Sequence, residues 1–109
     1  MPKCEANLDA TFGALAHPIR RALVERLAEG PATVSELAEP FDLAMPSLML
    51  HLGKLEQAGL VRSQKKGRVR TCFAELEPLR DAVRWAESQR ELWNRRLDRL
   101  EAFLDENPE

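Results

Sequence analysis

The sequence predicts a mainly α fold with one small β-hairpin, on three observations. Apolar residues recur at helical spacing from residue 8 to residue 58, interrupted by His17-Pro18, Gly30-Pro31 and Pro40. The period then changes to two over residues 61–74, around Gly67. After Pro78 the helical spacing returns and continues to about residue 104. At 109 residues the chain supports one compact domain, here 1–109.

Each element has a local reason. In the first stretch, residues 7–16, Leu8, Phe12, Leu15 and Ala16 share one helical face. Pro18 suits the first turn of a second helix over 18–29, because its missing N–H is not needed there; His17 sits at the cap. Ile19, Ala22, Leu23, Leu27 and Ala28 form its inner face, and Gly30-Pro31 stops it. Thr33-Val34-Ser35-Glu36 reads as a capping box, with the Thr33 hydroxyl and the Glu36 carboxylate satisfying each other's backbone N–H. A short third helix follows over 34–39, ended or tightened by Pro40. Residues 41–44 connect it to a fourth helix, residues 45–58, whose inner stripe is Leu48, Leu52 and Leu55 and whose stop is Gly59.

The hairpin pairs residues 61–66 with 68–74. Val69, Thr71 and Phe73 alternate with Arg68, Arg70 and Cys72, which reads as a half-buried strand with a basic outer face. The last helix, over 78–104, carries Leu79, Val83, Ala86, Trp93, Leu97, Leu100 and Leu104 on one stripe. It is too long for a domain of this size to cover. Trp93 reads as interface core and Trp85 as its flank.

Charge is unevenly placed. The whole chain carries −2, but residues 44–74 hold six basic residues against Glu56 alone, a local +5, leaving −7 elsewhere. Five cations lie between Val61 and Ala74 with no acid among them, more than edge-strand protection requires. Two short helices joined by a tight turn, followed by a basic hairpin, make a winged helix-turn-helix, over 33–58 with the wing at 61–74. Its candidate DNA contacts are Ser47, His51 and Lys54 on the fourth helix, with Arg62, Lys65, Lys66, Arg68 and Arg70 on the wing. His51 has a second reading, as a residue ordering the edge of the core. Leu48-Met49-Leu50 makes the fourth helix unusually apolar. That stretch reads thymine methyls or binds a protein, and the latter is the alternative function.

Several classes are excluded. There is no Gly-rich phosphate loop, no nucleophile–base pair at a recognisable spacing, and no apolar run long enough to span a bilayer. The N-terminus MPKCEANLDA lacks a secretory pattern, and two cysteines do not make a disulfide scaffold, so a cytoplasmic protein with reduced thiols is expected. Cys4 and Cys72 read as a tail thiol and a small strand residue. Cys72, placed near Arg68 and Arg70, is the candidate thiol sensor, since those charges lower a neighbouring thiol's pKa.

In order and spacing, Ala16-His17-Pro18-Ile19-Arg20-Arg21, Val34-Ser35-Glu36-Leu37-Ala38, Pro46-Ser47-Leu48, His51-Leu52 and Leu55-Glu56-Gln57-Ala58-Gly59-Leu60-Val61 resemble the ArsR-type family of small bacterial winged-helix repressors. The resemblance covers about residues 8–104. It implies a homodimer that represses its own operon at an inverted-repeat operator and releases DNA on a signal. Residues 8–16 and 78–104 then form the dimer interface, with Leu8, Phe12, Leu15, Val83, Ala86, Trp93, Leu97 and Leu100 as its candidates. Metal-sensing relatives carry cysteines in the third helix or Asp and His ligands in the last. Here residues 34–39 and 78–104 contain neither His nor Cys, so no metal and no cofactor is expected at those positions. The cysteines of sulfur-responsive relatives, in the second and last helices, are also absent. The expected partners are double-stranded DNA, a second copy of the chain, and an unassigned small-molecule or redox effector.

Overall fold

A computed structural model describes residues 3–107, with side chains described from residue 8. The order is α1 (Lys3–Leu15), α2 (Pro18–Glu29), β1 (Ala32–Thr33), α3 (Val34–Ala38), α4 (Met45–Gln57), β2 (Val61–Lys66), β3 (Val69–Ala74) and α5 (Glu77–Glu106). A mainly helical fold with a small antiparallel sheet is therefore the architecture, that of a winged helix-turn-helix.

Local chemistry sets most boundaries. His17 caps α2: its Nδ1 accepts from the Ile19 N–H at 3.1 Å, and Pro18 follows. The capping box of α3 is complete. The Glu36 N–H donates to Thr33 Oγ1 at 3.2 Å and the Thr33 N–H donates to Glu36 Oε1 at 2.9 Å. The Thr33 N–H and, after it, the Thr33 side chain hold the Glu36 carboxyl below its ordinary pKa. Helix α4 ends at Gly59, whose φ of 77° lies in the left-handed region. The N–H of Leu60 then reaches back to the Leu55 carbonyl at 2.9 Å, closing the helix and delivering Leu60 to the core.

That core is formed by Leu23 and Leu27 of α2, Leu37 of α3, Leu48, Leu52 and Leu55 of α4, and Leu60, Val61 and Cys72 from the approach to and body of the sheet. The inner stripe of α4 is the one its spacing predicts.

Several limits differ from the sequence reading, and one strand is added. Helix α1 begins at Lys3, so residues read as a tail form its first turns. Helix α3 ends at Ala38, and Glu39–Phe41 tightens into a 3₁₀ turn around Pro40. A two-residue strand, β1, precedes α3 and makes the sheet three-stranded, in the order β1-β3-β2. Helix α5 runs to Glu106.

The phase of β3 is also corrected. The alternation holds, but Cys72 faces the core and is fully buried, whereas Val69 is 51% exposed. Ladder pairing explains the inversion. Ala32 opposes Cys72 on one side and Ser63 opposes it on the other, so these three residues share the inner face with buried Val61, which opposes Ala74. Phe73 falls on the outer face, where the Arg62 guanidinium covers its ring at 4.4 Å.

Helix α5 has 30 residues, about 45 Å at 1.5 Å per residue. Among the described residues its start packs on the rest of the chain, Leu79 against the core and the following turns against α1, where Phe12 meets Trp85 edge-on at 5.6 Å. Beyond Ala82 no described residue of α5 is buried. The radius of gyration is 19.6 Å, where a compact chain of this length has about 13 Å. No helix among the described residues is long and apolar enough to cross a membrane.

Candidate nucleic-acid interface

Helix α4 buries Leu48, Leu52 and Leu55, which turns Ser47, Leu50 and Lys54 outward. Leu50 is 64% exposed. Met49, on the flank, packs partly against the core. The apolar stretch Leu48-Met49-Leu50 is thus divided, with one residue buried, one half-buried and one presented to solvent.

His51 lies on the opposite flank, against α2. Its ring sits 4.5 Å from that of His17, and its Nδ1 is 3.4 Å from Nη1 of Arg20. Arginine has no acceptor, so Nδ1 of His51 receives this contact with its lone pair. Arg20 Nε also donates to the Ala14 carbonyl at 2.6 Å, and Arg21 Nη1 donates to Leu15 at 2.8 Å. The two arginines satisfy the free carbonyls that end α1. Burial lowers the pKa of His51, and the neighbouring His17 and Arg20 lower it further. These contacts are those of a residue that orders the edge of the core, the second of its two sequence readings.

The wing cations divide by position. Arg62 stands at the base of the hairpin, where its Nε donates to Glu75 Oε1 at 2.8 Å. Lys65, Lys66 and Arg68 are exposed towards the tip, at Gly67. Arg70 is half-buried on the inner face. Together with Lys65 and Arg68 it lines a groove of about 420 Å³, closed by Thr33, Val34 and Ser35 of the α3 start and by Met49 of α4. The groove joins helix-turn-helix to wing, and three cations edge it. That the α3 start shares this wall was not legible in sequence, because it depends on β1. Lys54 lines a separate cleft with Asp9, Gly13, Arg20 and Gln57, between α1 and α4.

Cys72 does not have the environment expected of a reactive thiol. Burial raises its pKa, Glu56 raises it further, and Arg70 opposes them only in part. The earlier expectation of a lowered pKa rested on Cys72 sharing an exposed basic face. The side chain of Cys4 lies outside the described residues. Among the described residues, no cluster of three or more His, Cys, Asp or Glu side chains is placed to hold a metal ion.

This geometry has close counterparts. Residues 15–64 match a family described as a helix-turn-helix domain. An ArsR family transcriptional regulator of known crystal structure is 51% identical and superposes with a TM-score of 0.80, over 86% of this chain and 97% of that one. The chain belongs to the ArsR family. An ArsR-like regulator from Rhodococcus sp. RHA1 is 28% identical, with a TM-score of 0.81 over 92% of each chain. Among proteins of known sequence, the transcriptional repressor SdpR of Bacillus subtilis is 30% identical over 72% of this chain and 87% of its own. The HTH-type transcriptional regulator Rv2034 of Mycobacterium tuberculosis is 36% identical over 89% and 88%. Membership of the ArsR family makes this a DNA-binding transcriptional regulator, not an enzyme.

Proposed function

We propose that the protein is a homodimeric repressor that binds an inverted-repeat operator. Helix α4 enters the major groove, with Ser47 and Lys54 among its contacts, and Lys65, Lys66, Arg68 and Arg70 of the wing reach the backbone or the adjacent minor groove. The observation that carries the reading is the exposed apolar face of α5. Val83, Trp93, Leu97, Leu100 and Leu104 are all more than half exposed, and Leu92 and Phe103 widen the stripe. A solvent-facing stripe this long requires a cover. Pairing α5 and the Leu8, Phe12 and Leu15 side of α1 with a second copy supplies one, and Ala86 then sits in the same seam. A two-fold axis there sets two α4 helices against successive major grooves, about 34 Å apart.

Regulation runs through something other than metal on α3 or α5, since neither helix carries a His or Cys. The repression of SdpR, by its name, supports the negative sign of control.

Selection of genomic fragments against excess competitor DNA, at near-physiological salt, tests the proposal. A short inverted repeat bound by a dimer is the expected result. An intact dimer that retains nothing above competitor would overturn it in favour of a winged-helix protein-interaction module. A Leu97→Glu, Leu100→Glu variant is expected to sediment as a monomer and to lose operator binding.

A further inference from the structure

We propose that Leu50 reads thymine in the operator through its C5-methyl group, and that Gly53 clears the approach; this rests on the DNA-binding reading above. Ser47, Leu50, Gly53 and Lys54 lie three or four residues apart on the outward side of α4, opposite Leu48, Leu52 and Leu55. At its middle stands a leucine 64% exposed. Its aliphatic body makes no use of water, and no hydrogen-bonding group replaces it at the centre of the face. The major groove offers one apolar group to such a side chain, the methyl of thymine.

Gly53 is the second observation. A glycine inside a helix is unfavourable, by about 1 kcal/mol relative to alanine. Packing within the chain does not call for it, because a Cβ built there would meet nothing within 4 Å. The missing side chain instead opens the surface one turn beyond Leu50. Charge decides the occupant. Lys54 stands on the same side of α4, and Lys65, Arg68 and Arg70 edge the neighbouring groove. A polyanion with an embedded methyl suits this surface, and an apolar partner helix does not.

The test replaces each thymine of the half-sites, in turn, by deoxyuridine. This removes the methyl and leaves the pairing edge intact. Wild type is expected to lose about fourfold in affinity at one thymine per half-site, and about fifteenfold when both half-sites are changed, from the transfer of one methyl-sized group each. Leu50→Ala, at an exposed position, is expected to fold and dimerise normally, to bind the all-thymine operator more weakly, and to be insensitive to deoxyuridine there. Gly53→Ala is expected to raise the unfolding temperature while weakening operator binding. Wild-type affinity unchanged by every deoxyuridine, or Leu50→Ala retaining the wild-type sensitivity, overturns the assignment of Leu50. If wild type does not bind the all-thymine duplex above competitor, the DNA-binding reading itself falls and the assignment with it.

Discussion

The wing makes a quantitative claim that salt titration can read. Arg68 and Arg70 flank the tip and groove of the hairpin, free of the ion pair that holds Arg62. In a dimer each occurs twice. If each neutralises one phosphate, the slope of log affinity against log salt is shallower by about 1.8 in Arg68→Ala or Arg70→Ala, and by about 3.6 in the double variant, at roughly 0.9 per phosphate. Between about 50 and 200 mM salt, wild type then loses roughly 150-fold more affinity than the double variant. Fluorescence anisotropy with a labelled duplex, of any sequence, measures this directly. Arg62→Ala is the internal control. Its guanidinium is held by Glu75 at 2.8 Å and lies over Phe73, so its removal is expected to leave the slope unchanged. A double variant with the wild-type slope, or an Arg62→Ala effect as large as that of Arg68→Ala, would refute the division of the wing into a structural base and a contacting tip.

Two further outcomes follow from the buried and half-buried groups. The unfolded chain protonates His51 near its ordinary value of about 6.5, whereas the folded chain does so only at lower pH. Between those values the unfolded state holds more protons, so stability is complete above about pH 6.5 and falls as pH drops below it. Urea midpoints from pH 8 to 5, at fixed protein concentration, are expected to decline more steeply for wild type than for His51→Gln; parallel profiles would remove His51 from the effect. In a Cys4→Ser background, Cys72 is expected to react with a thiol reagent only as fast as the chain opens, because it is fully buried with a raised pKa. Rapid stoichiometric labelling of the native protein would restore the thiol-sensor reading.

What sequence could and could not convey has particular causes. The limits of α2 were legible because His17-Pro18 and Gly30-Pro31 bracket it with local chemistry. The capping box and the Gly59 stop are equally local, and both formed as read. Strand β1 was not legible, since two residues have no period. Its absence from the reading carried a second error with it. Both faces of β3 bear apolar residues, and the alternation alone does not say which is covered; the face that Cys72 shares with Ala32 and Val61 is the one that packs on the core. The candidate site shows the same divide. Outward positions of α4 could be read from the stripe of Leu48, Leu52 and Leu55, but His51 lies at the stripe's edge, where its surroundings depend on His17 at the cap of α2, which spacing does not show. Likewise, the ion pair between Arg62 and Glu75 depends on hairpin register, not on spacing.

The shortest strand ties two functional parts together. Thr33 pairs with Thr71 of the wing through its backbone and, with the same residue's hydroxyl, caps α3. One residue thus belongs both to the sheet that carries the wing and to the cap of α3. On the proposed reading, a wing displaced by DNA is expected to pull on the start of α3, which carries Leu37 into the core shared with α4. In the proposed complex, Thr33 is the point through which strain on the wing would reach α3 and, through the shared core, α4.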